Sequence, residues 1–450
     1  MSRAENGSSS PDRSEGDVNL GRRRAEWQAA QLDAETRALL DEDARWFLHQ
    51  SLSTPCLNAL QGAQGAWLTD TAGRRILDFH GNSLHQVGYG HPTVLQAMRQ
   101  TLETLPFSPR RYTNRPAVDL ARRLCQAAPM DGARLLFAPG GTSAIGMALK
   151  LARLATGRHK TISMWDAFHG ASLDAISIGG EAVFRQGIGP LLPGCEHAPP
   201  CDPGHCVFGC GGHCALRCAD YVEYMLRQEG DVAAVVVETI RCTDVQIPPP
   251  DYYRRLRQAC DRHGALLIVD EIPIALGRTG HLFAIERYGV APDMLVIGKG
   301  LGGGSMPLAA LLARDGLNLG PHTALGHYTH EKNPVACAAG LAVLDVIEQE
   351  DLLARSRHLG DQALTRLRVL CADLPAVKDL RGAGLLIGIE LDHPDLAEDV
   401  LYDCLSAGLS FKVGQGQVLV LAPPLNVDEA DLWWALERVA MAVRQRSVGG

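Results

Sequence analysis

From residue 134 onward the chain repeats one pattern: a short apolar run, a glycine-bearing turn, then a stretch with helical spacing. Arg134–Ala138 reads as a strand, Pro139-Gly140-Gly141 as a turn, and residues 142–156 as a helix closed by Gly157. Lys160–Met164 and residues 232–237 follow as strands. Pro248-Pro249-Pro250-Asp251 opens a helix with Tyr253, Leu256 and Cys260 on its apolar face, and Gly264 ends it. Residues 265–269 form a strand ending at Asp270, Met294–Ile297 another, and residues 307–313 a further one. Short apolar strands alternating with helices require an α/β fold, with a mostly parallel sheet covered on both faces.

The flanks read differently. Residues 22–52 carry helical signals, and residues 65–79 a hairpin around Thr71-Ala72-Gly73. Residues 80–92 are loop-like and polar enough to line a site, and His91-Pro92 opens a helix to about Leu105. Asn333 and Pro334 are a cap and first residue for a long helix. Beyond it lies a smaller α/β piece, with strands near 384–391 and 418–421 and a last helix from about Asp428. The expected organisation is a disordered tail over 1–21, an N-terminal segment of the small domain over 22–90, a large domain over 91–333, and the rest of the small domain over 334–450. The large domain carries a cysteine-rich insertion at 195–218.

A net charge of −8 argues against nucleic acid as a partner. No apolar run approaches a membrane span, and the polar start lacks the apolar centre of an export signal. The expected compartment is the cytoplasm. Hydrophobic residues, 46% of the chain, suffice for a sizeable core.

Four features carry chemistry. Lys299 follows an apolar strand between Gly298 and Gly300, where an amine can become a Schiff-base nucleophile; for a single lysine, a snorkelling side chain is the ordinary alternative. Asp270 ends a neighbouring strand, placed to pair with a cationic ring nitrogen or simply to cap a loop amide. Gly140-Gly141-Thr142 lies between strand and helix, where free N–H groups and the helix dipole favour a phosphate. An ordinary strand-to-helix turn looks the same on this stretch alone. Phe168 in Phe168-His169-Gly170 is an aromatic that stacks on a flat ring or packs in a core. Taken together, these are what pyridoxal 5′-phosphate needs.

At these residues the chain resembles the class-III, ω-aminotransferase-like group of fold-type I pyridoxal-phosphate enzymes. The resemblance implies a large domain with a seven-stranded-type, mostly parallel sheet and a smaller α/β domain. It implies that Lys299 is the Schiff-base lysine and catalytic residue, and that Gly141, Thr142, Phe168, Asp270 and Ile272 also hold the cofactor. Asp270-Glu271 with Gly277-Arg278-Thr279-Gly280 matches the family signature. Thr329 matches a threonine that reaches the neighbouring subunit's cofactor phosphate, which implies a homodimer with shared sites. Departures fall at Ser143, in residues 238–243 and 330–332, and at Val420, where many members carry a carboxylate-binding arginine ahead of Pro423-Pro424-Leu425.

Those departures put plain transamination in doubt, and residues 79–92 and 108–116 resemble a branch that eliminates rather than transfers, acting on aminoethyl phosphates and phosphonates. The implied reaction expels water from (R)-1-hydroxy-2-aminoethylphosphonate, and hydrolysis of the resulting enamine gives phosphonoacetaldehyde and ammonia. Arg241 and Lys332 are the expected phosphonate contacts, with Arg111, Arg115, His330 and Lys412 behind them. The competing expectations are an ω-aminotransferase that acts on an amine or ω-amino acid with a keto-acid acceptor, and a non-catalytic regulator that keeps the fold. The chain has 13 cysteines, and Cys201, Cys206, Cys210, Cys214 and Cys218 lie close in sequence. They are candidates for structural zinc or an iron–sulfur cluster, against reduced thiols or loop disulfides.

Overall fold

The computed structural model describes residues 21–210 and 214–447. The expected tail over 1–21 therefore lies, apart from Gly21, outside the described residues. Seven strands form the central sheet: β1 (Arg134–Ala138), β2 (Lys160–Met164), β3 (Cys195–Ala198), β4 (Val232–Glu238), β5 (Leu266–Asp270), β6 (Met294–Ile297) and β7 (Ala309–Ala313). Their order is β1-β7-β6-β5-β4-β2-β3. From β6 through β3 the neighbours are parallel, and β7 runs antiparallel to both β1 and β6.

The strands alternate their side chains between two apolar layers, as a two-residue period dictates. Ala234, Val236, Ile268, Met294, Val296, Ala309 and Leu311 pack with Ile145, Met147, Ala148 and Leu151 of the Gly141–Thr156 helix. Val235, Val237, Leu267, Val269, Leu295, Ile297 and Leu312 face the opposite layer, with Leu120, Val222, Leu256, Ala339 and Val343. Each such fully buried Val, Leu or Ile stabilises the fold by about 1.5–3 kcal/mol relative to exposure. The doubly covered sheet is the one expected from the sequence.

Helix limits follow local chemistry. The Asn333 side chain accepts from Ala336 N at 2.9 Å, and Pro334 starts the Pro334–Gln349 helix. Gly157 and Gly264 close their helices at φ 67° and 64°, left-handed values that favour glycine.

Two four-stranded sheets flank the central one. Leu60–Gln64, Trp67–Asp70 and Arg75–Asp78 form a meander, completed by Leu409–Ser410 running parallel to Arg75–Asp78. Val377–Ala383, Leu386–Leu391, Val418–Leu421 and Lys412–Gly414 form the other, all antiparallel. Three details differ from the sequence reading. β3 lies inside the cysteine-rich stretch and is the edge strand of the central sheet. Val377–Ala383 is a strand despite its Lys378, Asp379 and Arg381. Its partner starts only at Leu386, because Gly384 turns the chain at φ 54°.

That turn packs against the Leu352–Leu370 helix, where a Cβ on Gly360 would lie 2.1 Å from the Gly384 carbonyl oxygen. Gly360→Ala is expected to destabilise the fold by about 1–3 kcal/mol, because backbone rather than a flexible side chain must give way. Thermal unfolding of the variant checks this; an unchanged midpoint contradicts the packing.

Candidate active site

Parallel strands deliver their last residues to one edge of the sheet, the usual place for a site in such folds. Glu238 ends β4 and is the register partner of Asp270, which ends β5. Gly298 and Lys299 follow β6, and Asp270 pairs in register with Val296. Lys299 adopts φ 44°, and its side chain is exposed rather than desolvated by the surrounding protein. The strand therefore delivers the amine to an open edge.

Asp270 is buried, and both oxygens are held. Oδ1 accepts from Ile272 N at 3.0 Å, and Oδ2 lies 2.8 Å from His169 Nδ1. His169 is itself buried, and its Nε2 has no hydrogen-bond partner among the described residues. Burial and the Asp270 carboxylate push the Glu238 carboxyl well above its ordinary range, with Arg241 opposing them. Next in the chain, Glu271 is fully buried and accepts from Thr239 Oγ1, Ala284 N and Ile285 N at 2.6–2.7 Å. Burial pushes its carboxyl up to about 7, against the pull of those donors. Glu271 thus ties the loop after β5 to the start of the Ala284–Tyr288 turn.

The Gly141–Thr156 helix begins at Gly140 without a side-chain cap, so its first N–H groups get no acceptor from the capping residue. A Cβ on Gly141 would lie 2.5 Å from Ile272 Cδ1. One on Gly170, at φ 123°, would lie 2.2 Å from Thr142 Oγ1. Ile272 also lies 3.3 Å from where Gly298 would carry a Cβ. This one side chain thus touches both the helix start and the residue before Lys299. Phe168 is half-buried, with its ring 4.5 Å from that of Phe184.

The set consists of uncapped amides with a hydroxyl, a buried carboxylate, an aromatic, an apolar side chain and a primary amine. It fits a flat phosphorylated aldehyde with a basic ring nitrogen. Gly141, Thr142, Asp270, Ile272 and Lys299 are brought together; Phe168 sits next to His169, the partner of Asp270. His169 and Glu238 were not singled out for roles from the sequence. The only signal for His169 was its place beside Phe168.

The remaining candidates lie elsewhere. Thr329 and Lys332 are exposed in one turn; Asn114 Nδ2 donates to Lys332 O at 2.9 Å. That turn lies beside the helix start through Tyr328 Oη, which donates to Ser143 O at 3.4 Å. Arg241 is buried and already committed, with Nε donating to Asp244 Oδ1 at 2.8 Å and Nη2 to Asp244 Oδ2.

The described residues do not support a metal at the cysteine cluster. All thirteen cysteines are free. Cys201 and Cys218 share a thiol hydrogen bond with Cys214 beside them, while Cys206 and Cys210 are half-buried. Among the described residues, no three His, Cys, Asp or Glu side chains converge closely enough to hold a metal ion. His213 lies outside the described residues. Cys195 is in β3 and belongs to the sheet.

Among the described residues, no helix is long and apolar enough to cross a membrane. Comparison with known proteins agrees with the geometry. The model of the class-III aminotransferase family matches residues 50–443. The (R)-1-hydroxy-2-aminoethylphosphonate ammonia-lyase of Vibrio splendidus is 46% identical over 97% of this chain and 95% of its own length. The acetylornithine aminotransferase of Methanopyrus kandleri is 35% identical over 85% of this chain and 93% of its own. The ω-transaminase of Pseudomonas jessenii superposes with a TM-score of 0.86 at 25% identity, over 92% of this chain and all of its own. The ornithine aminotransferase of Toxoplasma gondii gives 0.82 at 28%, over 95% of this chain and 99% of its own. An enzyme with the fold-type I architecture, the chain belongs to the class-III aminotransferase family.

Proposed function

We propose that this enzyme is a pyridoxal-phosphate-dependent ammonia-lyase that converts (R)-1-hydroxy-2-aminoethylphosphonate to phosphonoacetaldehyde and ammonia. The observation that carries this reading is the 46% identity to the Vibrio splendidus ammonia-lyase along nearly the whole chain. Pyridoxal 5′-phosphate is the cofactor supported by the family and by the donor set at the sheet edge. When bound, it supplies an aldehyde that condenses with amines and a cationic ring that accepts the electron pair released by deprotonation.

The chain's own residues do the rest. The first amides of the Gly141–Thr156 helix and the Thr142 hydroxyl bind the phosphate. Phe168 and Ile272 take the two faces of the ring. Asp270 keeps the ring nitrogen protonated, and His169 holds the carboxylate in place for it. Lys299 Nζ is the base: it takes the proton from the substrate carbon that bears nitrogen. The hydroxyl on the neighbouring carbon then leaves as water. Water returns when the nitrogen is released as ammonia, so the net change is loss of ammonia with no second amino acceptor. Thr329, exposed in its turn, serves the partner subunit's phosphate in a homodimer.

The purified enzyme should release ammonia from hydroxyaminoethylphosphonate without any keto acid. Strict dependence on added pyruvate or 2-oxoglutarate would move the assignment to an aminotransferase. Lys299→Ala should lose the visible Schiff-base absorbance and about 10³-fold or more in turnover; a spectrum like the parent's would remove Lys299 from its role. Asp270→Asn should lower turnover about 10²-fold while cofactor stays bound, because an amide cannot stabilise a ring cation as a carboxylate does. Steady-state rates on cofactor-saturated protein check this, and parent-like turnover would contradict it.

A further inference from the structure

The cysteine-rich stretch takes no part in the chemistry proposed above, yet three of its thiols meet. Cys201 and Cys218 are 4% and 1% exposed, and Cys201 hydrogen-bonds Cys218 on one side and the half-buried Cys214 on the other. Cys218 is the second residue of the Arg217–Glu229 helix, whose capping residue Leu216 offers no side-chain acceptor. Its sulfur sits against the amides of Ala219 and Cys218 at that helix start. The hydrogen bond with Cys201, and then those amides, pull the Cys218 thiol below its ordinary value against the effect of burial. The same bond pushes the Cys201 thiol up. A sulfur with thiolate character in contact with a second thiol is the arrangement that oxidises to a disulfide.

Cys201 stands between this pair and the active-site edge. It lines a cavity of about 30 Å³ together with Met164, Glu238, Arg241, Gln246 and Tyr252. Glu238 is the register partner of Asp270, and its Oε2 is buried with no partner among the described residues. Asp202, the next residue, is a hub. Its Oδ2 accepts from Gln246 Nε2 at 3.0 Å and lies 3.2 Å from His205 Nδ1. His205 Nε2 lies 2.8 Å from Glu390 Oε1, on the Leu386–Leu391 strand of the flanking sheet. Gln246 Nε2 also donates to Asp244 Oδ2 at 3.1 Å, and Asp244 is the carboxylate that holds Arg241. A displacement of Cys201 therefore passes through Asp202 to the loop that follows β4.

We propose that Cys201 and Cys218 form a reversible thiol–disulfide switch that acts on this loop, with hydrogen peroxide, small enough to reach a buried sulfur, as the oxidant. The Cys218 thiolate attacks one peroxide oxygen, the O–O bond breaks, and the departing hydroxide takes up the Cys218 proton as water. The Cys201 sulfur then attacks the resulting sulfenic sulfur, and its own proton leaves with the hydroxyl as a second water. Two thiols thus lose two electrons, and one peroxide is reduced to two waters. A dithiol reverses the step by exchange. The new bond draws the sulfurs from hydrogen-bonding to covalent distance. Cys201 moves toward the Arg217–Glu229 helix and away from the cavity wall. The Asp202–Gln246 bond is strained, and Arg241 loosens beside Glu238.

The test treats the holoenzyme with hydrogen peroxide, alkylates the remaining thiols and maps linked peptides by mass spectrometry. Turnover of hydroxyaminoethylphosphonate is read with and without pyruvate, so that a lyase and an aminotransferase both register and the switch is judged apart from the substrate reading. The Cys201–Cys218 link should form, and turnover should fall about 10-fold or more, as small displacements far from the chemistry can cause. Dithiothreitol should restore it. Cys218→Ala should begin with parent-like turnover and keep it through peroxide, while Cys214→Ser should still form the link. If Cys218→Ala does not fold, Cys201→Ser decides the matter, since it should retain the same share of its turnover with and without peroxide. No link after peroxide, a Cys201–Cys214 link in its place, or parent-like turnover in the linked enzyme overturns the switch. So does a peroxide loss in Cys218→Ala as large as the parent's.

Discussion

The parallel register of β4, β5 and β6 is the constraint on which the site depends. Glu238 stands opposite Asp270, and Asp270 opposite Val296, so the strand ends finish level with one another. A slip of one residue in β5 would turn Asp270 to the other face of the sheet and send an apolar residue toward His169. The two apolar layers prevent it, because every strand residue would then change sides as well. Core packing therefore fixes the position of a carboxylate that does not itself belong to the core.

Around that edge the protein handles buried charge in three ways. Asp270 has a histidine and an amide as partners, and Glu271 has two amides and a hydroxyl. Arg241 has a carboxylate three residues away, which closes a local loop and leaves little charge for a ligand. Arg278 has only backbone oxygens. The first two arrangements are complete without any other molecule. The third leaves two guanidinium nitrogens without a partner among the described residues.

Much of this was legible in the chain because it is local. Apolar runs followed by glycine turns marked most of the central strands, and Asp270 and Lys299 were visible as polar residues at strand ends. What was hidden depends on contacts between distant residues. His169 meets Asp270 across a separation of 101 positions, which no spacing rule encodes. β3 escaped notice because an edge strand needs only one apolar flank, and Cys195-Glu196-His197-Ala198 carries none of the usual β-branched pattern. Arg241 sat beside a candidate site position, but Asp244 at helical-turn distance was the better guide to its partner. Arg278 reads as part of a motif, and its burial without a carboxylate partner among the described residues is visible only in the fold.

The short strand Leu409–Ser410 bears on how the chain reaches this state. It completes the meander by pairing with Leu77 and Asp78, residues from the other end of the sequence. Nearby, Ala422 N donates to Phe79 O and Leu425 N to Gln86 O, both at 2.8 Å. The segment that carries Ser83, His85 and Gln86 is therefore braced by residues far downstream in the chain. Such distant contacts form late and slowly, since the closure entropy must be met before they stabilise anything. The central sheet can assemble as its strands emerge, whereas the wall facing Lys299 waits for the C-terminal strands.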